Sequence, residues 1–237
     1  MASLDQLLVL QEHDTVLDQL HHRRATLAQR AELVALQAEL ADVTGRQDEV
    51  AESRAEVARA QKRLEDEVAA VEEKVASVHG QLYGGSVTSP RELQALQDDE
   101  NALKRHQSAV EDKVLEQMEL AVPLDEQAEA LADRRGQLEA DVTRVTAELA
   151  EAEAAIDGEV AGVEAERATI AGDVDPDLLE RYEQLRHDLG GIAVARLVGT
   201  NCGGCHLTLS AVELDRIRHQ PDGAVVLCEE CGRLLVH

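Results

Sequence analysis

Leu82-Tyr83-Gly84-Gly85-Ser86-Val87-Thr88-Ser89-Pro90-Arg91-Glu92-Leu93 is the stretch on which the fold turns. Gly84 and Gly85 suit the left-handed end of a helix. Ser89 suits the N-cap of the next helix, Pro90 its first position, and Glu92 the far side of a Ser-x-x-Glu capping box. On either side lie about eighty residues with helical periodicity. A reversal flanked by equal helical arms predicts an antiparallel hairpin with its tip near residues 83–90.

Outward from the tip, the N-terminal arm repeats Leu36, Leu40, Val43, Gln47, Val50, Arg54, Val57, Gln61, Leu64, Val68, Val71, Val75, Val78 and Leu82 at alternating spacings of four and three. This is a heptad seam. Leu20, Leu27 and Val34 keep a seven-residue spacing that does not run into it, so a register shift is expected between Leu27 and Leu36. The C-terminal arm holds one phase for eleven heptads, from Leu93 through Glu100, Val110, Ala121, Leu131, Leu138, Val145 and Ile156 to Ile170. Pro123 lies inside it and predicts a kink without an end. Pairing Leu82 with Leu93 brings Leu4 to the level of Ile170, each arm spanning roughly 120 Å at the helical rise. Gln47, Arg54, Gln61, Gln107, Gln117 and Arg135 interrupt the seams as register-setting residues. The runs His21-His22-Arg23-Arg24 and Asp98-Asp99-Glu100 read as solvated helix surface. A parallel intermolecular coil would leave the tip breakers in mid-helix without a purpose, so the expectation is a monomer or a weak homodimer.

Composition agrees with long helices and excludes other classes. The 237 residues include no Trp, no Phe and two Tyr, so no aromatic core is available. The formal charge of -25 is concentrated in residues 1–170, with 17 Lys+Arg against 37 Asp+Glu, while residues 190–237 carry 4 against 5. Acidic helices repel phosphate backbones. No stretch approaches the ~18 apolar residues of a membrane span. Met1-Ala2-Ser3-Leu4-Asp5-Gln6 lacks a basic, apolar leader. A cytoplasmic protein is expected.

Beyond Ile170, Asp175 and Pro176 start a short third helix through Leu189, ended by Gly190-Gly191, within a linker of residues 172–191. Tyr182 and Leu185 are expected to pack it against its neighbours. Residues 192–237 form the last domain, with strands at 192–198, 224–227 and 233–236, a helix capped by Ser210 with Glu213 as capping-box partner, and a turn at Pro221-Asp222-Gly223. It contains Cys202, Cys205, Cys228 and Cys231, two Cys-x-x-Cys pairs separated by 22 residues. That spacing points to one tetrahedral Zn²⁺ held by four thiolates, a closed structural site with no open position for water or substrate. About 45 residues without a large aromatic cannot build an adequate core alone, and zinc binding contributes on the order of 10–16 kcal/mol to folding. His206 then lies beside the site and is not a ligand.

Ser89-Pro90-Arg91-Glu92-Leu93, Cys202-x-x-Cys205-His206 and Cys228-x-x-Cys231-Gly232-Arg233-Leu234-Leu235 together resemble the bacterial family of long coiled-coil hairpins ending in a C4-type zinc ribbon. The Ala-, Asp- and Val-rich composition is similar to that of actinobacterial members. The resemblance spans the whole chain, residues 1–171 being the hairpin. It implies a non-enzymatic protein whose hairpin and ribbon bind protein or nucleic-acid partners, with no small-molecule substrate. Glu229-Glu230 stands where ribbons of this kind often carry Pro, and the module is not basic. The expected contacts are Tyr83 and Arg91 at the tip, and Arg216 and Arg218 on the ribbon helix, with Arg196 and Arg233 as further members of a local basic patch. The leading reading is an interaction or adaptor protein. The alternative is an RNA- or DNA-binding protein acting through the ribbon.

Overall fold

The heptad spacing puts apolar side chains on one stripe of each arm, and burial of that stripe selects the helix pairing. The computed structural model describes residues 2–221 and 224–236. Among these residues, five helices, α1 (Ala2–Ala25), α2 (Ala28–Tyr83), α3 (Pro90–Gly172), α4 (Pro176–Asp188) and α5 (Ala211–Arg218), accompany four short strands. The strands are β1 (Val194–Val198), β2 (Asn201–Cys202), β3 (Val226–Leu227) and β4 (Leu234–Val236). The fold is mainly α, a long helical hairpin followed by a small strand-containing module. By packing it divides into two compact units, residues 32–145 and residues 1–31 with 146–237.

The 32–145 unit is the hairpin proper. As the residue number on α2 rises through Glu39, Arg54, Glu67 and His79, its partner on α3 falls through Arg134, Asp125, His106 and Glu100, so the helices run antiparallel. Every buried residue of the unit occupies a position of the two seams: Val43, Val71, Glu100, Val110, Ala121, Leu131, Leu138 and Val145. Polar seam residues pair across it, Arg54 Nε donating to Asp125 at 2.6 Å and Gln107 Nε2 to Glu72 at 3.3 Å. Helix α3 continues through Pro123. At the tip, the Gly84 N–H donates to the Gly80 carbonyl at 2.9 Å and Gly85 takes φ +74°. Helix α3 then starts with the Leu93 N–H donating to the Ser89 carbonyl at 3.0 Å. Among the described residues, neither the Ser89 hydroxyl nor the Glu92 carboxylate makes a hydrogen bond, so the expected capping box is not formed.

Glu100 also departs from the solvated reading of its acidic run. It is 2% exposed, covered by its own partners: Lys104 Nζ at 2.7 Å and His79 Nδ1 at 3.0 Å. The Lys104 hydrogen bond, then that of His79, holds its carboxyl below the ordinary carboxylate range. The resulting stabilisation is present above the ordinary value and is lost as pH falls through the lowered one.

The first eighty residues are two helices and not one, with α1 in the other unit. The break falls at Thr26-Leu27, just before the expected register shift. Both the Thr26 N–H and its Oγ1 donate to the His22 carbonyl, at 3.0 and 2.8 Å, and Arg30 Nε satisfies the Arg24 carbonyl at 3.2 Å. Val34 is 67% exposed, which shows that the Leu20, Leu27, Val34 series is not a seam. Helix α1 instead buries Leu4, Leu7, Leu10, Asp14, Leu17 and Leu20. It runs antiparallel to the end of α3, with Arg24 on Asp157 at 2.7 Å and His13 on Glu166 at 3.2 Å.

Helix α4 starts as its sequence predicts, Asp175 accepting from the N–H groups of Asp177 and Leu178. Tyr182, fully buried, joins Leu4, Leu7, Leu10, Val174, Leu178, Val194 and Leu234 in one core cluster, with Ile170 and Leu185 packed against it. The sheet order is β2-β1-β4-β3, with β1 and β4 parallel and the outer pairs antiparallel. All three expected strands are shorter than predicted, and β2 was not expected. At Ala193 and Val194 the side chain of Gln11 stands in for a neighbouring strand, its Oε1 accepting both N–H groups at 2.7 and 2.8 Å while its Nε2 donates to the Val194 carbonyl at 2.9 Å. The Pro221-Asp222-Gly223 turn falls partly outside the described residues.

Asp14 is the polar centre of this unit. Its carboxylate, 3% exposed, accepts from Tyr182 Oη at 2.6 Å and Arg167 Nε at 2.6 Å, and Arg186 Nη2 donates to its backbone carbonyl at 3.2 Å. Burial, then the neighbouring Asp14, pushes the Tyr182 hydroxyl well above its ordinary range. Removing one member of a buried charge pair costs about 3–5 kcal/mol, whereas removing one hydrogen bond to a charge costs about 1.5–3. Asp14→Ala is therefore expected to lower the stability of this unit by the larger amount and Tyr182→Phe by the smaller, measured by denaturant unfolding followed by circular dichroism.

Candidate metal centre

Each cysteine pair sits on a tight knuckle built the same way. The His206 N–H donates to the Cys202 carbonyl at 2.8 Å, and the Gly232 N–H to the Cys228 carbonyl at 2.8 Å. Both residues that close a knuckle are left-handed, His206 at φ 63° and Gly232 at φ 73°. A non-glycine residue in that region is strained by its Cβ, and His206 is the one case among the described residues. Gly203 is required for space: a Cβ there would stand 2.8 Å from the Arg196 carbonyl oxygen, to which the Gly203 N–H donates.

The four sulfurs converge within 4.8 Å of one another, with Cys202–Cys231 and Cys205–Cys228 at 3.9 Å. A tetrahedron with Zn–S bonds of about 2.3 Å has edges of about 3.8 Å, so the donor set fits zinc. A disulfide needs about 2.05 Å. The thiols differ in their surroundings. Burial pushes Cys228 up to about 12 against the N–H groups of Glu230 and Cys231. For Cys231 burial acts in the same direction, but the Arg233 backbone N–H and side chain, with the sulfurs of Cys228 and Cys205, outweigh it and bring the thiol down to about 7. Backbone N–H groups aimed at sulfur also serve Cys202, which accepts from Gly204 at 3.4 Å. Such donors stabilise thiolate charge. The cluster contains no histidine, His206 being exposed beside it.

Cys202 and Cys228 belong to the ribbon's own core, with Ala195, Leu209, Leu214, Ile217, Val226 and Leu235. Metal and apolar packing therefore act on the same residues. Glu213 binds this core together in a way its capping-box role did not anticipate. Its N–H donates to the Ser210 hydroxyl at 3.1 Å, but its buried carboxylate accepts the Glu229 N–H at 3.1 Å, bracing the second knuckle from α5.

The other residues singled out in the sequence are dispersed. Tyr83 is 66% exposed at the end of α2, its ring 4.6 Å from that of His79. Arg91 is exposed on the first turn of α3. Arg216 pairs with Glu229 at 2.9 Å, Arg196 with Asp5 at 3.1 Å, and Arg233 Nε donates to the Ile192 carbonyl at 3.0 Å. Arg218 is exposed and carries no ion pair among the described residues. No helix among the described residues is long and apolar enough to cross a membrane. Asp14 and Gln11 were not identified from sequence. Asp14 had a signal, a charged residue in the stripe Leu7, Leu10, Leu17, whereas Gln11 had none.

An antiparallel helical hairpin joined to a four-cysteine ribbon defines a coiled-coil hairpin protein with one structural Zn²⁺. The chain belongs to the family of the CT398-like coiled coil hairpin domain, which matches residues 10–190, and the C4-type zinc ribbon domain matches residues 201–235. An uncharacterized protein of Mycobacterium tuberculosis, Rv2229c, is 32% identical over 155 residues, covering 65% of this chain and 63% of that protein's length. A solved structure from Mycobacterium smegmatis superposes with a TM-score of 0.85 at 24% identity, covering 99% of this chain and 98% of the other. CT398 from Chlamydia trachomatis superposes with a TM-score of 0.71 at 21% identity, covering 98% and 96%. The relatives include mycobacterial, hence actinobacterial, proteins, and the matched families indicate no catalytic activity.

Chelation is expected to remove about one Zn²⁺ per chain and to open residues 192–237 to proteolysis while the helical circular dichroism of the long arms persists. Cys228→Ser is expected to reproduce that digestion pattern without chelator. Retention of stoichiometric zinc and protease resistance in Cys228→Ser would remove Cys228 from the ligand set.

Proposed function

We propose that this chain is a non-catalytic adaptor that meets partner proteins in the cytoplasm through two contact sites, the hairpin tip and the zinc ribbon. The observation that carries the reading is Tyr83. It is one of two tyrosines in the chain; the other is buried on Asp14, while Tyr83 is presented to solvent on the last turn before the tip loop. Aromatic and arginine side chains concentrate binding energy at interfaces, and Arg91 stands on the opposite side of the same loop. A hairpin and a closed four-thiolate ribbon support a structural or adaptor protein.

Protein is preferred to nucleic acid as the partner because the ribbon segment is not basic and Arg216 is neutralised by Glu229. The unpaired Arg218 is the feature that favours the alternative. Crosslinking affinity purification of the full chain separates the two. Tyr83→Ala with Arg91→Ala is expected to leave helical content unchanged and to weaken capture of specific proteins at least about thirtyfold, the loss expected of about 2 kcal/mol at a hot spot. Recovery of the same proteins in the same amounts would end the tip assignment. RNA or DNA binding that falls steeply with salt and with Arg216→Glu or Arg218→Glu would move the ribbon to the nucleic-acid reading.

A further inference from the structure

Among the described residues, exposed large apolar side chains are densest on α3, where Leu115, Met118, Leu120 and Val122 stand within two turns. Leu115, Met118 and Val122 are 56%, 48% and 55% exposed, and their spacing of three and four places them in one column. The seam residues Val114, Gln117 and Ala121 already face α2, so this column lies to one side of the pairing surface and keeps about half of its apolar surface in solvent. At about 100° per residue Leu120 falls on the opposite flank. The column borders a groove of about 320 Å³ between the two helices, lined by Glu65, Val68, Glu111, Val114 and Leu115. Two turns towards the N-terminus on the Glu65 side of α2, Ala51, Ala55 and Ala58 border a further groove of about 670 Å³. These small side chains let another helix approach closely.

Charge around the column selects what can lie there. Asp112, Glu119 and Glu126 repeat every seven residues along its outer side, and none carries an ion pair among the described residues. Pro123 cannot return the hydrogen bond that the Glu119 carbonyl receives in an uninterrupted helix, which leaves an acceptor at the same place. Residues 32–145 carry 13 Lys+Arg against 26 Asp+Glu, so a second copy would bring like charges together. A contiguous apolar column of this kind, rimmed by unpaired charge, marks an interaction surface. Met118, an adaptable apolar side chain at its centre, suits such a surface.

We propose that the flank of the hairpin formed by Leu115, Met118 and Val122, with the acidic rim of Asp112, Glu119 and Glu126, docks a basic amphipathic helix of a partner protein. The partner helix lays apolar residues at i, i+3 and i+7 along the column and Lys or Arg against the rim. This surface is separate from the tip and ribbon contacts, so each assignment stands or falls alone.

The test uses the full zinc-loaded chain and a fluorescein-labelled 18-residue peptide of Leu and Lys at amphipathic helical spacing, with a Leu and Glu peptide of the same spacing as its counterpart. At physiological salt, saturable binding of one Lys peptide per chain is expected. Leu115→Ser with Met118→Ser and Val122→Ser should weaken it at least tenfold, and Glu119→Lys with Glu126→Lys by a similar factor. Leu120→Ser and Glu151→Lys with Glu164→Lys should leave it unchanged, and circular dichroism should show the same helical content throughout. Equal weakening by the control variants, equal binding of the Glu peptide, or no binding would overturn the proposal. So would light scattering that shows a dimer abolished by the triple Ser variant, because the occupant would then be a second copy.

Discussion

One buried carboxylate fixes how the ends of this chain meet. Asp14 sits in the apolar stripe of α1 and takes donors from Arg167 on α3 and Tyr182 on α4, partners 153 and 168 residues away. A charge in that setting is tolerable only while its donors stay in place. Arg167 on α3 also reaches Glu183 on α4, and Arg186 on α4 reaches Asp18 on α1, so the two arginines tie α1, α3 and α4 together. The surrounding leucines would accept many small displacements of α1, but the carboxylate accepts one. Hydrophobic burial supplies the attraction here, and the polar centre supplies the register.

The seams were readable because α2 and α3 bury a stripe only one or two side chains wide. With no sheet or second layer to compete for apolar residues, periodicity maps directly onto burial, and Glu100 and Ala121 fall on the stripe as surely as Leu138. The cysteine spacing was readable for a different reason, since a tetrahedral ion prescribes ligand type and number before any fold exists. What escaped the sequence depends on side chains that satisfy distant backbone. The break at Thr26-Leu27 has no local signal in the chain, and the capping box expected of Ser89 and Glu92 is not formed. Glu213 matches a capping box by spacing yet turns its carboxylate to Glu229, because the N–H of a knuckle held against the metal centre has few other acceptors. Local motifs predict where a donor is needed, but tertiary neighbours decide which acceptor answers.

The two knuckles show how little separates a recurring motif from its exceptions. Their backbone bonds are the same length and their closing residues have nearly the same φ, but one closes with glycine and the other with His206. The strained residue follows the knuckle whose interior glycines, Gly203 and Gly204, press against Arg196 and Arg233. A residue with a Cβ keeps a left-handed conformation only where its surroundings fix the backbone.

The clamp that Gln11 places on Ala193 and Val194 bears on the order of events during synthesis. Its amide waits for backbone groups 182 and 183 residues downstream. At ribosomal rates of about 5–20 residues per second, α1 exists for roughly ten seconds or more before those groups emerge. Over that interval Leu4, Leu7 and Leu10 have no permanent cover, because their cluster includes Val194 and Leu234. The arms of residues 32–145 contain all the partners they need and can zip first. A helix made long before its cover is thus among the last parts to be secured, and its apolar face stays open until the ribbon arrives.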